Sequence, residues 1–110
     1  MTIEKLFQNM IDKYGDNFNW ILVPFSSKSL VDELNKELGD TKFTHTIYAV
    51  AKCESNDDVL FLVEENDYRI YHLTYSKNNT EGYPRFISFD GRQSAINYIE
   101  KEYVENYLSK

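Results

Sequence analysis

The stretch that most restricts the fold is residues 59–75, which read VLFLVEENDYRIYHLTY. Residues 59–64 are dense in β-branched and aromatic side chains, and residues 68–75 are again rich in β-forming types. The polar residues 65–67 between them have the length of a hairpin loop. The pattern predicts two antiparallel strands at the centre of a small sheet.

The rest of the chain supplies helices and further strands around this hairpin. Apolar residues at helical spacing predict helices over residues 3–14, 29–38 and 92–108. Runs rich in β-branched and aromatic residues predict strands over residues 19–25, 43–53 and 85–89. Sequential strands joined by short turns favour an antiparallel sheet. We therefore predict one α+β domain over residues 1–110, with a sheet of four to five strands, three helices and the order α-β-α-β-β-β-β-α.

Two further predictions assign side chains to faces. On the strand over residues 43–53, alternation places four small or apolar residues on one face; they are Ile47, Ala49, Ala51 and Cys53. On the second helix, the charged residues opposite the apolar stripe are expected to face solvent; they are Asp32, Glu33, Lys36 and Glu37.

The charge of the chain excludes several classes of partner. Its 18 acidic and 12 basic residues give a net charge of −6. A nucleic-acid binder needs a basic surface, and an anionic membrane surface repels an acidic protein. We expect neither partner. An acidic surface instead suits a basic protein, whose association it accelerates.

The cysteine content and the N-terminus bear on location. One cysteine, Cys53, allows no internal disulfide and fits a reducing compartment. The N-terminal residues do not read as a secretory leader, and no apolar run approaches the ~20 residues of a membrane span. We therefore predict a cytoplasmic protein.

Residue patterns of common catalytic and cofactor sites are missing from the sequence. The four glycines are scattered rather than clustered before a helix, which argues against a phosphate-binding loop. His45, Cys53 and His72 lack the spacing of zinc ligands. A Cys53 nucleophile would need a basic neighbour, for which His72 is the only candidate. We predict no enzyme activity, no cofactor and no metal.

Acidic and aromatic side chains are the remaining candidates for a binding surface, because interfaces combine aromatic anchors with charged residues. The predicted partner-binding residues lie on the last helix and near the hairpin turn; they are Glu100, Glu102, Glu105, Tyr98, Tyr103, Glu64, Glu65 and Asp67. The same pattern is also typical of a solvated helix face with tyrosines at the margin of the core.

The C-terminal part of the chain, from Tyr68 onward, has one familiar pattern. An aromatic strand ends in HLTY at residues 72–75, and a polar loop and Pro84 follow. A short strand with Phe86 and Phe89 then precedes the last helix. This order resembles small bacterial immunity or immunity-like proteins of polymorphic toxin loci. The resemblance implies stoichiometric inhibition of a cognate toxin by acidic and aromatic residues that occlude a basic site, and it assigns no site residues of its own.

We therefore predict a non-enzymatic protein-binding module, in its specific form an immunity protein that occludes the site of a basic toxin domain. The alternative is a small-molecule-binding or regulatory domain. Its ligand would lie between the sheet and the helices, next to Tyr48, Tyr71 and His72.

Overall fold

The computed structural model describes residues 2–24, 27–75 and 84–108, so the polar loop noted above lies outside the described residues. The described residues form three α-helices and five strands in the predicted order. The helices are α1 (Ile3–Tyr14), α2 (Ser29–Leu38) and α3 (Arg92–Tyr103), and the strands are β1 (Trp20–Leu22), β2 (Tyr48–Cys53), β3 (Asp58–Glu64), β4 (Asp67–His72) and β5 (Phe86–Asp90). The predicted α+β fold is confirmed.

The sheet is an antiparallel meander in which each strand pairs with the next one along the chain. In the central hairpin Phe61 lies opposite Arg69 and Asp58 lies opposite His72. The turn is shorter than predicted because Asp67 already belongs to β4. Asn66 takes a left-handed backbone angle, φ 63°, which asparagine adopts more readily than most residues.

Helices cover both faces of the sheet. The first apolar core lies under α1 and α3 and contains Phe7, Leu60 and Ile99 among its fully buried side chains. The second core lies under α2, where Leu34 packs with Phe61 and others. Aromatic and branched side chains on alternate positions of β3 therefore serve both cores, which explains its nearly continuous apolar sequence. None of the helices in the described ranges is long and apolar enough to cross a bilayer.

The prediction that four residues of β2 and its approach share one face is wrong. The pairing of β2 with β3 shifts register between Ala49 and Ala51, which is a β-bulge. Ile47 and Ala49 therefore lie in the core under α2, whereas Ala51 and Cys53 lie in the core under α1 and α3. An extra residue in one strand reverses the faces that follow it, and simple alternation cannot foresee this.

The prediction that Glu37 faces solvent is also wrong, since it is only 6% exposed. Its Oε1 accepts hydrogen bonds from the backbone N–H and the hydroxyl of Thr74, both at 2.8 Å. Its Oε2 accepts from the Tyr75 N–H at 3.1 Å. The carboxylate thus holds the chain after β4 against the end of α2.

The last helix continues past α3, as predicted, but with a wider turn. Val104–Leu108 is π-helical. The Asn106 side chain donates to the Glu102 carbonyl at 3.0 Å, so a side-chain amide binds an oxygen that the regular α-helical ladder would use. Such π-helical turns often occur at functional sites.

Candidate partner-binding site

The path of α3 decides which residues meet at its end. Gly91 N–H donates to the Asn66 carbonyl at 2.6 Å, so α3 starts beside the β3–β4 turn. It then runs back along the sheet toward the opposite end, where the β2–β3 turn lies. Its last residues therefore come next to Asn19 and Asp58, which belong to distant parts of the sequence.

A cleft of about 280 Å³ separates the end of α3 from the β2–β3 turn. Buried Trp20 and Ile99 contribute apolar atoms to its wall. Most of its other lining side chains are polar or aromatic; they include Asn19, Asp58, Tyr98, Glu102, Tyr103, Asn106 and Tyr107.

Glu102 contributes one carboxylate to the cleft. Its Oε2 accepts a hydrogen bond of 2.5 Å from the Asn106 amide. Burial, a hydrogen bond to Glu102 and the negative charges of Glu102 and Asp58 raise the pKa of Tyr98 to about 12. The Tyr98 phenol therefore stays protonated at neutral pH. The negative charges of Glu102 and Asp58 both act on this side chain.

Asp58 contributes the second carboxylate from the start of β3. Its Oδ1 lies 2.8 Å from His72 Nδ1 on the neighbouring strand. Its backbone N–H donates to Asn56 Oδ1 at 2.8 Å, which fixes the turn. The carboxylate is thus held in place on the sheet rather than on a free loop.

Asn19 adds a buried acceptor that has no partner among the described residues. Its Nδ2 donates to Ser55 Oγ at 3.2 Å and lies 3.6 Å from Cys53 Sγ. Its Oδ1 is buried and accepts no hydrogen bond. Buried acceptors are normally satisfied, so an unsatisfied oxygen on a residue that lines the cleft is unusual.

These groups together favour a cationic occupant. The Asp58 and Glu102 carboxylates are hydrogen-bond acceptors with negative charge, as an ammonium or guanidinium group requires. The Tyr107 ring, 47% exposed, lies at the same opening and can pack against a partner's side chain. Two carboxylates at one cleft therefore give it the chemistry to accept a cationic group.

The residues predicted on the last helix lie in different environments in the structure. Tyr98 and Glu102 line the cleft, and Glu105 is exposed on the π-helical turn. Tyr103 is only 4% exposed and packs its ring edge-on against Phe18, with centroids 5.2 Å apart. Tyr103 therefore belongs to the core, and it contributes to the cleft only as part of its buried wall.

Glu100 has an internal role that the sequence did not indicate. Its Oε2 accepts from Lys13 Nζ at 2.8 Å and from the Tyr14 hydroxyl at 2.6 Å. Hydrogen bonds from Lys13, then from Tyr14, lower the pKa of Glu100. This carboxylate ties α3 to α1 rather than facing an empty surface.

The predicted residues of the hairpin turn lie away from the cleft. Glu64, Glu65 and Asp67 are at the far end of β3 from Asp58, about 20 Å away at roughly 3.3 Å per residue. Asp67 pairs with Arg69 at 3.2 Å. The acidic residues of the hairpin turn therefore form a patch that is separate from the cleft.

Sequence reasoning missed Asn19 and Asn106 as parts of this site. Asparagines in loops and at helix ends have no periodic signature, and their usual role is local backbone bonding. Asp58 is also absent from the partner-binding residues predicted from the sequence. The available signal was the cluster of acids at residues 54–58, which by itself does not indicate that a helix end lies against it.

Catalytic chemistry at Cys53 finds no support in the geometry. Burial, followed by the charges of Asp58 and Glu54, raises the pKa of the Cys53 thiol, whereas a nucleophilic cysteine needs a lowered pKa. His72 is bound to Asp58, and His45 Nε2 lies 2.7 Å from the Val63 carbonyl. No group of three or more metal-binding side chains occurs among the residues that the structure describes.

The residues predicted to surround a small ligand do not meet. Tyr71 is buried in the core under α2. Its neighbour His72 points to the opposite face of β4, since adjacent residues of a strand alternate. Tyr48 lies on β2 and is exposed. The three side chains therefore do not line one cavity.

Comparison with known proteins gives no assignment. No family model matches the chain, and neither curated proteins nor solved structures show a significant match.

Proposed function

We propose that this protein binds another protein without catalysing a reaction, and that it neutralises a basic bacterial toxin domain as an immunity protein does. The observation that carries the proposal is the acidic cleft between α3 and the β2–β3 turn. Asp58 and Glu102 line a volume that can accept a basic side chain, and Asn19 lines it too. The resemblance of the C-terminal part of the sequence to immunity proteins supports the same function.

In the proposed mechanism, one lysine or arginine of the toxin enters the cleft and loses its water. Its N–H groups then donate to the Asp58 and Glu102 carboxylates, and Tyr107 packs beside the stem of the side chain. The net charge of −6 speeds the encounter with a basic partner. The bound protein occludes the toxin's site, in the cytoplasm of the cell that it protects.

The first experiment is affinity capture of the tagged protein from lysates of its own cells and of competing bacteria. The expected result is one basic protein retained in stoichiometric amount at low salt and lost as salt rises, because salt screens exposed charges. Columns that retain no basic protein from either source would contradict the proposal.

The second experiment locates the contact surface. It measures the affinity of two matched double variants for the captured partner. Glu102→Gln with Asp58→Asn removes two charges at the cleft, and Glu64→Gln with Glu65→Gln removes two at the far end of β3. Loss of a buried charge partner costs about 2–5 kcal/mol, so we expect the cleft variant to bind about 30-fold more weakly or worse. The far-end variant should mainly slow association.

Thermal melts of both double variants control for misfolding. Equal weakening by the two variants would show that only total charge matters and would remove the cleft from the proposal. If the cleft variant folded and bound with unchanged affinity, that result would also contradict binding at the cleft.

A further inference from the structure

One edge of the sheet that the described strands form is the apolar strand β5. Among the described strands, β5 has only β4 as a neighbour. Natural edge strands are commonly protected by lysine, proline or a bulge, and the β5 sequence FISFD has none of these. Phe86 is 50% and Ile87 44% exposed. Strand edges of this kind pair readily with another strand.

The hydrogen bonds of β5 show which of its backbone groups point outward. The Arg85 carbonyl accepts from His72 N–H at 3.0 Å, and Gly91 N–H donates to the Asn66 carbonyl. Bonding direction alternates along an antiparallel strand, so the odd-numbered residues between them bond to β4. Phe86, Ser88 and Asp90 therefore direct their N–H and C=O groups away from the sheet.

We propose that β5 pairs with β5 of a second copy of this chain, around a two-fold axis at Ser88. The two meanders then form one continuous antiparallel sheet. In this register Ser88 lies opposite Ser88 of the other copy, and Phe86 lies opposite Asp90. Ile87 lies opposite Phe89. All the outward groups of Phe86, Ser88 and Asp90 are then hydrogen-bonded.

A second copy fits this edge for two reasons. The register keeps the same face of both sheets on the same side, because opposed residues differ by an even number of positions. The strand also follows Arg85 and ends at Asp90, so antiparallel pairing brings the basic start of each strand near the acidic end of the other. A strand of another protein has no reason to match both features.

Charge makes this association respond to salt in a characteristic way. Each copy carries −6, so two copies repel at low ionic strength, and salt screens that repulsion. Self-association should therefore strengthen as salt rises, whereas binding to a basic protein weakens. The shared edge is short, so the contact belongs with weak, concentration-dependent interfaces. The inference does not depend on the proposed function.

Sedimentation of the purified chain tests the pairing. The weight-average mass is expected to rise above 13.0 kDa toward twice that value as concentration approaches the millimolar range, and more steeply at higher salt. Ser88→Pro removes an outward N–H, a change that edge strands tolerate, and should abolish the rise. Ser88→Ala keeps the N–H and should behave as the wild type.

Cysteine crosslinking tests the register. In a hydrogen-bonded antiparallel pair the Cα atoms are about 5.5 Å apart, within the range of a disulfide. Ser88→Cys should therefore form a disulfide-linked dimer, whereas Asp90→Cys faces Phe86 and should not. Cys53 is buried and does not compete. A wild type that stays monomeric at all concentrations and salts, or equal crosslinking of the two variants, would overturn the proposal.

Discussion

Replacing Glu37 with glutamine tests whether a buried carboxylate holds the chain after β4. Glutamine keeps one oxygen for Thr74 but turns an amide N–H₂ toward the Tyr75 N–H, so one acceptor is lost and two donors face each other. Hydrogen bonds to a charged group contribute about 1.5–3 kcal/mol each. We expect Glu37→Gln to lower the free energy of unfolding by about 2 kcal/mol, and the melting temperature by about 10 °C.

The matched control is Asp32→Asn, the same chemical change at an exposed position of α2. Exposed substitutions usually change stability by about 0.5 kcal/mol or less. Urea and thermal melts at neutral pH compare the two variants. If Glu37→Gln and Asp32→Asn had the same free energy of unfolding, the Glu37 carboxylate would not be holding the Thr74–Tyr75 backbone.

The same variant has a predicted pH dependence. Burial pushes the pKa of Glu37 upward, but hydrogen bonds from Glu33, Thr74 and Tyr75 outweigh it, and the pKa lies below its ordinary value of 4.5. The hydrogen bond to Glu37, followed by burial, raises the pKa of Glu33, so Glu33 takes up the shared proton first.

The sign of the effect follows from the lowered pKa of Glu37. Its contribution to stability is complete above pH 4.5 and is lost as pH falls through the folded-state pKa. The stability difference between wild type and Glu37→Gln should therefore narrow on acidification below pH 4.5. A difference that stays constant across that range would refute the reasoning.

Two further predictions concern the cleft and the single cysteine. NMR titration of ring-labelled tyrosine should give Tyr98 a pKa of about 12, and Glu102→Gln should lower it because a hydrogen bond and a negative charge are removed; an unchanged value would contradict the contact. Cys53 should react with a thiol reagent far more slowly in the folded protein than in urea, because its side chain is buried and its pKa is raised; equal rates would show that the thiol is accessible.

Much of the fold could be predicted from local patterns. The apolar spacing of residues 3–14 determined α1, and Thr2, whose Oγ1 accepts from the Lys5 N–H at 3.1 Å, caps it. Gly15, with φ 75°, ends it. The β-rich runs around residues 65–67 determined the central hairpin. These features depend on neighbours in sequence, whose geometry is set by the backbone itself.

The candidate site could be predicted only in part. Tyr98 and Glu102 were identified because acidic and aromatic residues alternate on the last helix. Tyr103 and Glu100 share that pattern, yet the structure places one in the core and pairs the other with Lys13. Composition along a helix does not indicate which side chains a neighbouring helix will cover.

The amino-acid sequence by itself determined the order of the helices and strands and the antiparallel hairpin, because both follow from periodicity and turn chemistry. Only the tertiary structure decided the bulge between Ala49 and Ala51, the burial of Glu37 and the meeting of Glu102 with Asp58. Each of these depends on how elements distant in sequence pack against one another. Periodicity reports which residues of one element share a face, whereas contacts between elements depend on the packing of the whole core.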